Sequence, residues 1–346
     1  MQQKKPLPGI VVVLLDLLGI GAALAIFILF HHVLPLDSGE PIQNIVFGED
    51  TPSVVETTPT PVPAATESAA DSETAGDPSM SPTAVPTPTP APGDFSASFP
   101  TDEPPEEDVF GSYVSDNLRI VVTEEHTDDA VYFVADVWIR NIREFKTAFA
   151  DGTYGRGRYE LPSDMASDVN AVLALSGDCY GARPSGIVIR NGDLYRESIS
   201  GDVCVLYSDG VMETYYADEF DLSQAVDRGA YQAWSFGPKL IDNGEVPASY
   251  NTTSAIIAHN PRAAIGYYEP GHYCLLVVDG RQPGYSDGMT LQELSETFLS
   301  LGCTDAYNLD GGQSAMMIFN GQIVGQPYKG GRTISDILYF GGSDTE

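Results

Sequence analysis

Between Lys5 and Arg119 the sequence has no lysine or arginine. Across the chain 17 basic residues face 49 acidic ones, a formal charge of −32. A polyanion needs a basic face, so this balance excludes nucleic acid as a partner. Cysteine is scarce: Cys179, Cys204, Cys274 and Cys303, none of them in a C-x-x-C. That spacing argues against a structural zinc site. It leaves open disulfides, with three possible connectivities, or buried thiols, since each cysteine sits beside apolar residues. No G-x-G-x-x-G follows an early strand, which removes a dinucleotide-binding fold. His, Cys and acids are not spaced as a dedicated transition-metal site. No cofactor is required by the sequence, although Ca²⁺ or Mg²⁺ at acidic loops stays open.

What the N-terminal third has is hydrophobicity and then proline. Residues 9–36 hold the run "GIVVVLLDLLGIGAALAIFILFHHVL". Roughly 20 apolar residues span a bilayer, so the run is long enough for an anchor. Lys4 and Lys5 precede it and acids follow it. The positive-inside bias therefore places residues 1–8 in the cytoplasm and the C-terminal domain outside the cell, on a single-pass membrane protein. A cleaved signal peptide is the competing reading, but no clear A-x-A site follows. Residues 37–110, rich in Pro, Thr, Ser and acid, read as a disordered linker that cannot bury enough apolar surface to fold.

From residue 111 to 346 the composition is globular. "LRIVVTEEHTDDAVYFVADVWI" reads as two strands around an acidic turn, and the segment from Ser163 as a helix running into a strand. Asn191-Gly192, Asp209-Gly210 and Asn320-Gly321 each separate strand-like runs and supply the positive φ of two-residue hairpins. Thr290-Leu-Gln-Glu293 is a capping box, Leu291, Leu294, Phe298 and Leu301 share one face, and Gly302 ends the helix. The expectation is an α+β fold: one mixed, largely antiparallel sheet with packed helices.

Polar clusters follow the apolar strands. "LSGDCYGARPSG" carries Ser176, Asp178 and Arg183; "HNPRAAIG" carries His259 and Arg262; "VVDGRQPGYSDGMT" carries Asp279 and Arg281. "AYNLDGGQSAMM" carries Asn308, Asp310, Gly311, Gly312 and Ser314. Each alone reads as readily as a loop; a lone His259 is usually structural, and Asp310-Gly311-Gly312 can be a plain turn. As a set, acids, arginines and glycines at strand ends resemble the rim of an active site.

The ordered blocks "LSGDCYGARPSGIVIRNGDLY", "WSFGPKLIDNG", "NPRAAIGYY", "LLVVDGR", "GMTLQELSETFLSLGCTDAYNLDGGQSAMM" and "GRTISDIL" resemble the phosphodiester glycosidase family. The resemblance covers roughly residues 115–342. It implies hydrolysis of the bond between a sugar's anomeric carbon and a phosphodiester oxygen, in the style of enzymes acting on N-acetylglucosamine-1-phosphodiesters. Bacterial members are commonly connected with exopolysaccharide, so a cell-surface glycan is the implied partner. Under that resemblance Arg262 and the Gly311-Gly312 turn engage the phosphate. Asp310 and Asp178 activate water or stabilise the cationic anomeric carbon. Asn308, Ser314, Ser176, Arg183, His259, Asp279 and Arg281 supply sugar contacts or loop support. Two positions depart from the usual pattern: Ser176 stands where Asn is usual, and Gln313 where a third glycine is frequent. The alternative is a non-catalytic glycan-binding or assembly protein on the same fold.

Overall fold

The strand-like runs sort into three sheets, and every pairing between their strands is antiparallel. The structure is a computed structural model that describes residues 20–21, 39–46, 93–104 and 109–342. Apart from Ile20 and Gly21, the expected anchor of residues 9–36 lies outside the described residues. Among the described residues no helix is long and apolar enough to cross a membrane.

The seven-stranded sheet runs, in spatial order, Lys239–Ile241, Asp305–Asn308, Arg262–Glu269, His272–Val278, Val131–Ile139, Leu118–His126 and Gly111–Val114. A six-stranded sheet orders Gln43–Asn44, Asp193–Arg196, Val188–Arg190, Ala230–Trp234, Val203–Tyr207 and Met212–Tyr215. The five-stranded sheet orders Gln322–Val324, Met317–Phe319, Leu173–Ser176, Asp336–Phe340 and Phe145–Phe149.

The expected single sheet is corrected here, and the fold is mostly strand with few helices. The inner faces of all three sheets meet in one core that includes Leu275, Val137, Trp234, Leu206, Leu175 and Leu338. Their outer faces are also covered. Helix Leu291–Leu301 packs Leu291, Leu294 and Phe298 over Ala264 and Leu276. Helix Leu222–Asp227 covers the six-stranded sheet through Ala225, and helix Pro162–Asp168 covers the five-stranded one through Met165 and Ala166. Some strands buried on both faces are near-continuous apolar runs, as in the fully buried "VCVLY", while others, such as "DAYN", bury polar side chains at their ends. A continuous apolar run does not say which sheet a strand joins.

The local signals hold. Asn191-Gly192 and Asn320-Gly321 take positive φ at both residues, the type I′ geometry. At Asp209-Gly210 only the glycine does, and Asp209 instead accepts the Val211 N–H, so that hairpin closes by a different turn. The Thr290 cap forms reciprocally with Glu293, and Gly302 ends the helix at φ 90°.

Two pieces of the stretch expected as linker belong to the folded body. Gln43–Asn44 pairs with the edge strand Asp193–Arg196. Residues 93–104 dock through Phe95 and Phe99, both buried, and through a bridge between Asp94 and Asn141. Two aromatic side chains suffice to tie a short segment to a core already built by others.

Candidate active site

Strands of all three sheets end in one region. Asn308 closes its strand opposite Ala264, two residues into the strand that Arg262 opens. In the five-stranded sheet, Ser176 pairs with Ile337, the neighbour of Asp336. The two sheets are stitched where the Asp310 N–H donates to the Gly177 carbonyl at 3.0 Å. Ser176 reinforces the seam, donating to the Ser314 carbonyl at 2.5 Å and accepting from the Met316 N–H at 3.1 Å. It is fully buried, so it joins strands rather than meeting a ligand.

The paired glycines of the turn have separate causes. A Cβ on Gly311 would lie 2.7 Å from the Pro261 carbonyl oxygen, so only glycine permits that approach. Gly312 sits at φ 63°, and its N–H donates to the same carbonyl at 2.8 Å. That amide is therefore committed inside the protein and is not free to meet an oxyanion. Gln313, where a third glycine is frequent, turns its side chain away and donates to the Gly331 carbonyl at 2.8 Å.

A cavity of about 210 Å³ opens beside the turn. Asn308, Gly311 and Gly312 form one wall, Arg262, Arg281 and Asn260 another, and Phe236, Ala255 and Ile256 give it apolar surface. Arg262 is buried and donates through Nε to the Met289 carbonyl and through Nη2 to the Ile256 and Ala258 carbonyls. Burial, then the neighbouring Arg281 charge, lowers its pKa to about 10, partly offset by Glu293. It remains cationic at neutral pH. Arg281, exposed and at φ 58°, donates to Asn260 Oδ1 at 2.6 Å. Its guanidinium lies against Gly312, 3.4 Å from where a Cβ would stand. No carboxylate is among the residues lining the cavity. In a chain of charge −32, two guanidiniums here form a local positive site.

The carboxylates gather on the other side of the turn. Asp310 accepts from Arg332 Nη2 at 3.2 Å, while Arg332 Nε donates to Ser314 Oγ at 2.6 Å. Burial raises the Asp310 pKa, Ser314 and Arg332 pull it down, and the nearby Asp178 charge pushes it up again. Asp178 is buried; it accepts the Ser235 N–H at 2.7 Å, and its own N–H donates to Asp336 at 2.8 Å. Asp336 also takes Arg190 Nε at 2.7 Å. Gly177 makes this possible, because a Cβ there would lie 2.6 Å from Asp336 Oδ1. Arg183 stacks over Phe236 at 4.6 Å and joins the two halves. Cys179 lies near both Asp310 and Asp178, and burial, then those charges, raise its thiol pKa. All four cysteines are free thiols.

Asp310, Asp178, Ser314, Arg183, Asn308, Gly311, Gly312, Arg262 and Arg281 thus lie on or around one turn. Ser176 lies in the seam behind the turn, and two further candidates do not join them. His259 bonds the Gly288 carbonyl at 3.0 Å and faces Glu293. Asp279 is occupied by Tyr285 Oη at 2.8 Å and the Gln326 N–H at 2.7 Å, which holds a loop. The reading of the sequence missed Arg332, Asn260, Phe236 and the Arg190–Asp336 pair. All but Arg190 sit in the polar blocks "WSFGPKL", "HNPRAAIG" and "GRTISDIL", which was the signal for them. Among the described residues no three His, Cys, Asp or Glu side chains converge to hold a metal.

Comparison with known proteins gives three findings. The phosphodiester glycosidase family profile matches residues 169–341. A Bacillus subtilis (strain 168) protein, the SPbeta prophage-derived uncharacterized protein YomE, is 30% identical over 179 residues, covering 49% of this chain and 28% of that protein. The chain thus spans under a third of that relative's length. Among solved structures, the catalytic domain of zebrafish N-acetylglucosamine-1-phosphodiester alpha-N-acetylglucosaminidase, auto-inhibited by its pro-peptide, superposes with a TM-score of 0.53 at 21% identity, over 65% of this chain and 84% of that one. A hypothetical protein from Synechocystis gives 0.50 at 15% identity, over 65% and 62%. At these identities the structures show the shared fold alone.

Proposed function

The chain belongs to the phosphodiester glycosidase family, and from that membership we propose that it hydrolyses the sugar–phosphate bond of a sugar-1-phosphodiester. One observation carries this reading: two guanidiniums, with no lining carboxylate, line the same cavity as the glycines of the Asp310 turn. Hydrolysis at the anomeric carbon breaks C1–O(P), forms C1–O from water and releases a phosphate monoester. That leaving group needs little protonation; it needs its charge held. Arg281 is the direct phosphate contact, since its guanidinium lies at the cavity against Gly312. Arg262, whose Nε and Nη2 are spent on carbonyls, fixes the wall and lends its field. Asp310, oriented by Arg332 and Ser314, acts in its ionised form to take the proton of the attacking water or to stabilise the cationic anomeric carbon. Asp178 acts beside it.

The substrate proposed is a cell-surface glycan bearing N-acetylglucosamine-1-phosphodiester-like linkages, in exopolysaccharide metabolism at the outer face of the cell membrane. Support for the location is the apolar run at 9–36 with Lys4 and Lys5 before it. The test offers the full chain a panel of sugar-1-phosphodiesters and measures free sugar. Release from at least one member is expected. Glycan binding without any release would replace this reading with that of a glycan-binding or assembly protein.

A further inference from the structure

Asn308 is 1% exposed and lines the cavity, and its amide is only half satisfied. Its Nδ2 donates to the Gly237 carbonyl at 2.8 Å, while its Oδ1 has no partner among the described residues. The orientation is fixed by chemistry: a flipped amide would set two carbonyl oxygens against each other. The free end is therefore an acceptor, and a buried unpaired acceptor is unfavourable until a donor reaches it. The side chain is held in place because the Asn308 N–H also donates to Pro238 and the strand pairs with Ala264. The same cavity carries the Arg262 and Arg281 charges and the apolar surface of Phe236.

We infer that Asn308 is a specificity-determining residue, whose Oδ1 demands a hydrogen-bond donor, a hydroxyl or acylamino N–H, from the sugar ring of an anionic ligand held by Arg281. The inference rests on the sugar-phosphate reading above and adds to it what the glycosyl part must present. A ligand with the anion but no donor, such as inorganic phosphate, meets the arginines and leaves Oδ1 unpaired. A sugar 1-phosphate satisfies both. A site built around a polar group rejects the analogue that lacks its partner more strongly than an apolar pocket rejects a size change.

The test is calorimetric titration of the full chain with N-acetylglucosamine 1-phosphate and with inorganic phosphate. The sugar phosphate is expected to bind about tenfold tighter or more, as one hydrogen bond to a buried acceptor implies. Asn308→Leu should erase that ratio and leave phosphate binding within about twofold, because Arg281 is untouched. Should the leucine variant fail to fold, Asn308→Ala decides. It removes the acceptor with no added bulk or charge, so the ratio is again lost while phosphate binding stays within about twofold. Equal binding of the two ligands by the unaltered protein, or an unchanged ratio in the folded variant, would overturn the inference. Release of sugar from diesters is measured separately. Selective binding without release refutes hydrolysis and leaves Asn308 its role. Release with KM unmoved in Asn308→Leu does the reverse.

Discussion

Two aspartate–arginine pairs lie within one hydrogen-bonded network and are built to opposite ends. Asp336 and Arg190 meet at 2.7 Å with both side chains sealed, 0% and 1% exposed. Asp310 and Arg332 meet at 3.2 Å, the carboxylate 8% exposed and the guanidinium 52%. In the sealed pair each charge answers the other, and Arg190 Nη1 reaches the Ile189 and Ala233 carbonyls, while Nη2 is buried without a partner among the described residues. Such a pair fixes geometry, here the backbone N–H of Asp178. In the open pair the arginine is half in water and shared with Ser314, so the carboxylate, itself buried, is oriented by a partner that reaches solvent. The same two residue types make a sealed brace in one place and a solvent-reaching pair in the other. What separates them is access.

Breaking each pair should therefore show in different measurements. Asp310→Asn is expected to lower sugar release by about 100- to 10,000-fold, the range for an acid–base group. Its stability to urea should change by less than about 1 kcal/mol, since the amide keeps the size. Loss of fold instead would make the turn structural. Asp336→Ala should do the opposite. Stripping a buried arginine of its carboxylate costs about 3–5 kcal/mol, read as a fall in the urea midpoint. A loss under about 1 kcal/mol would mean the sealed pair braces nothing.

Arg332→Gln sharpens the contrast through pH. Burial already holds the Asp310 pKa above the ordinary carboxylate range, and Arg332 pulls it down by favouring the charged form. If the ionised form acts, release falls as pH drops through that pKa. Removing Arg332 raises the pKa further, so the acid limb of kcat/KM moves to higher pH. A limb that stays in place would show that Asp310 does not set it. Gln313→Gly is the smallest change. It loses one hydrogen bond to Gly331, about 0.5–1.5 kcal/mol, with kcat unaltered.

Local features were legible because their causes are local. Asn191-Gly192 and Asn320-Gly321 announced hairpins through the sterics of positive φ, and Thr290 with Glu293 announced a helix start. Most of the site was legible as blocks, since Asp310, Asp178, Asn308 and Arg262 stand at strand ends. Their division of labour was not. Arg262 read as the phosphate ligand, but its Nε and Nη2 hold carbonyls and Arg281 has the better position. His259 and Asp279 read as site residues because sequence distance from a strand end does not say which way a loop turns. Residues 39–46 and 93–104 read as linker because composition averages over a window. Phe95 and Phe99 decide locally where the chain docks.

The sequence by itself determined the family, the antiparallel character of the strands, and the want of cations that makes two clustered arginines conspicuous. Only the tertiary structure decided that three sheets share the core, and that the Asp310 turn divides a cationic cavity from a carboxylate cluster. It also decided that Asn308 keeps an unspent acceptor. The physical reason is range: turn and cap preferences act over a few residues of chain. Burial, charge and hydrogen-bond commitment are set by which segments meet in space, among them groups more than a hundred residues apart, such as Arg190 and Asp336.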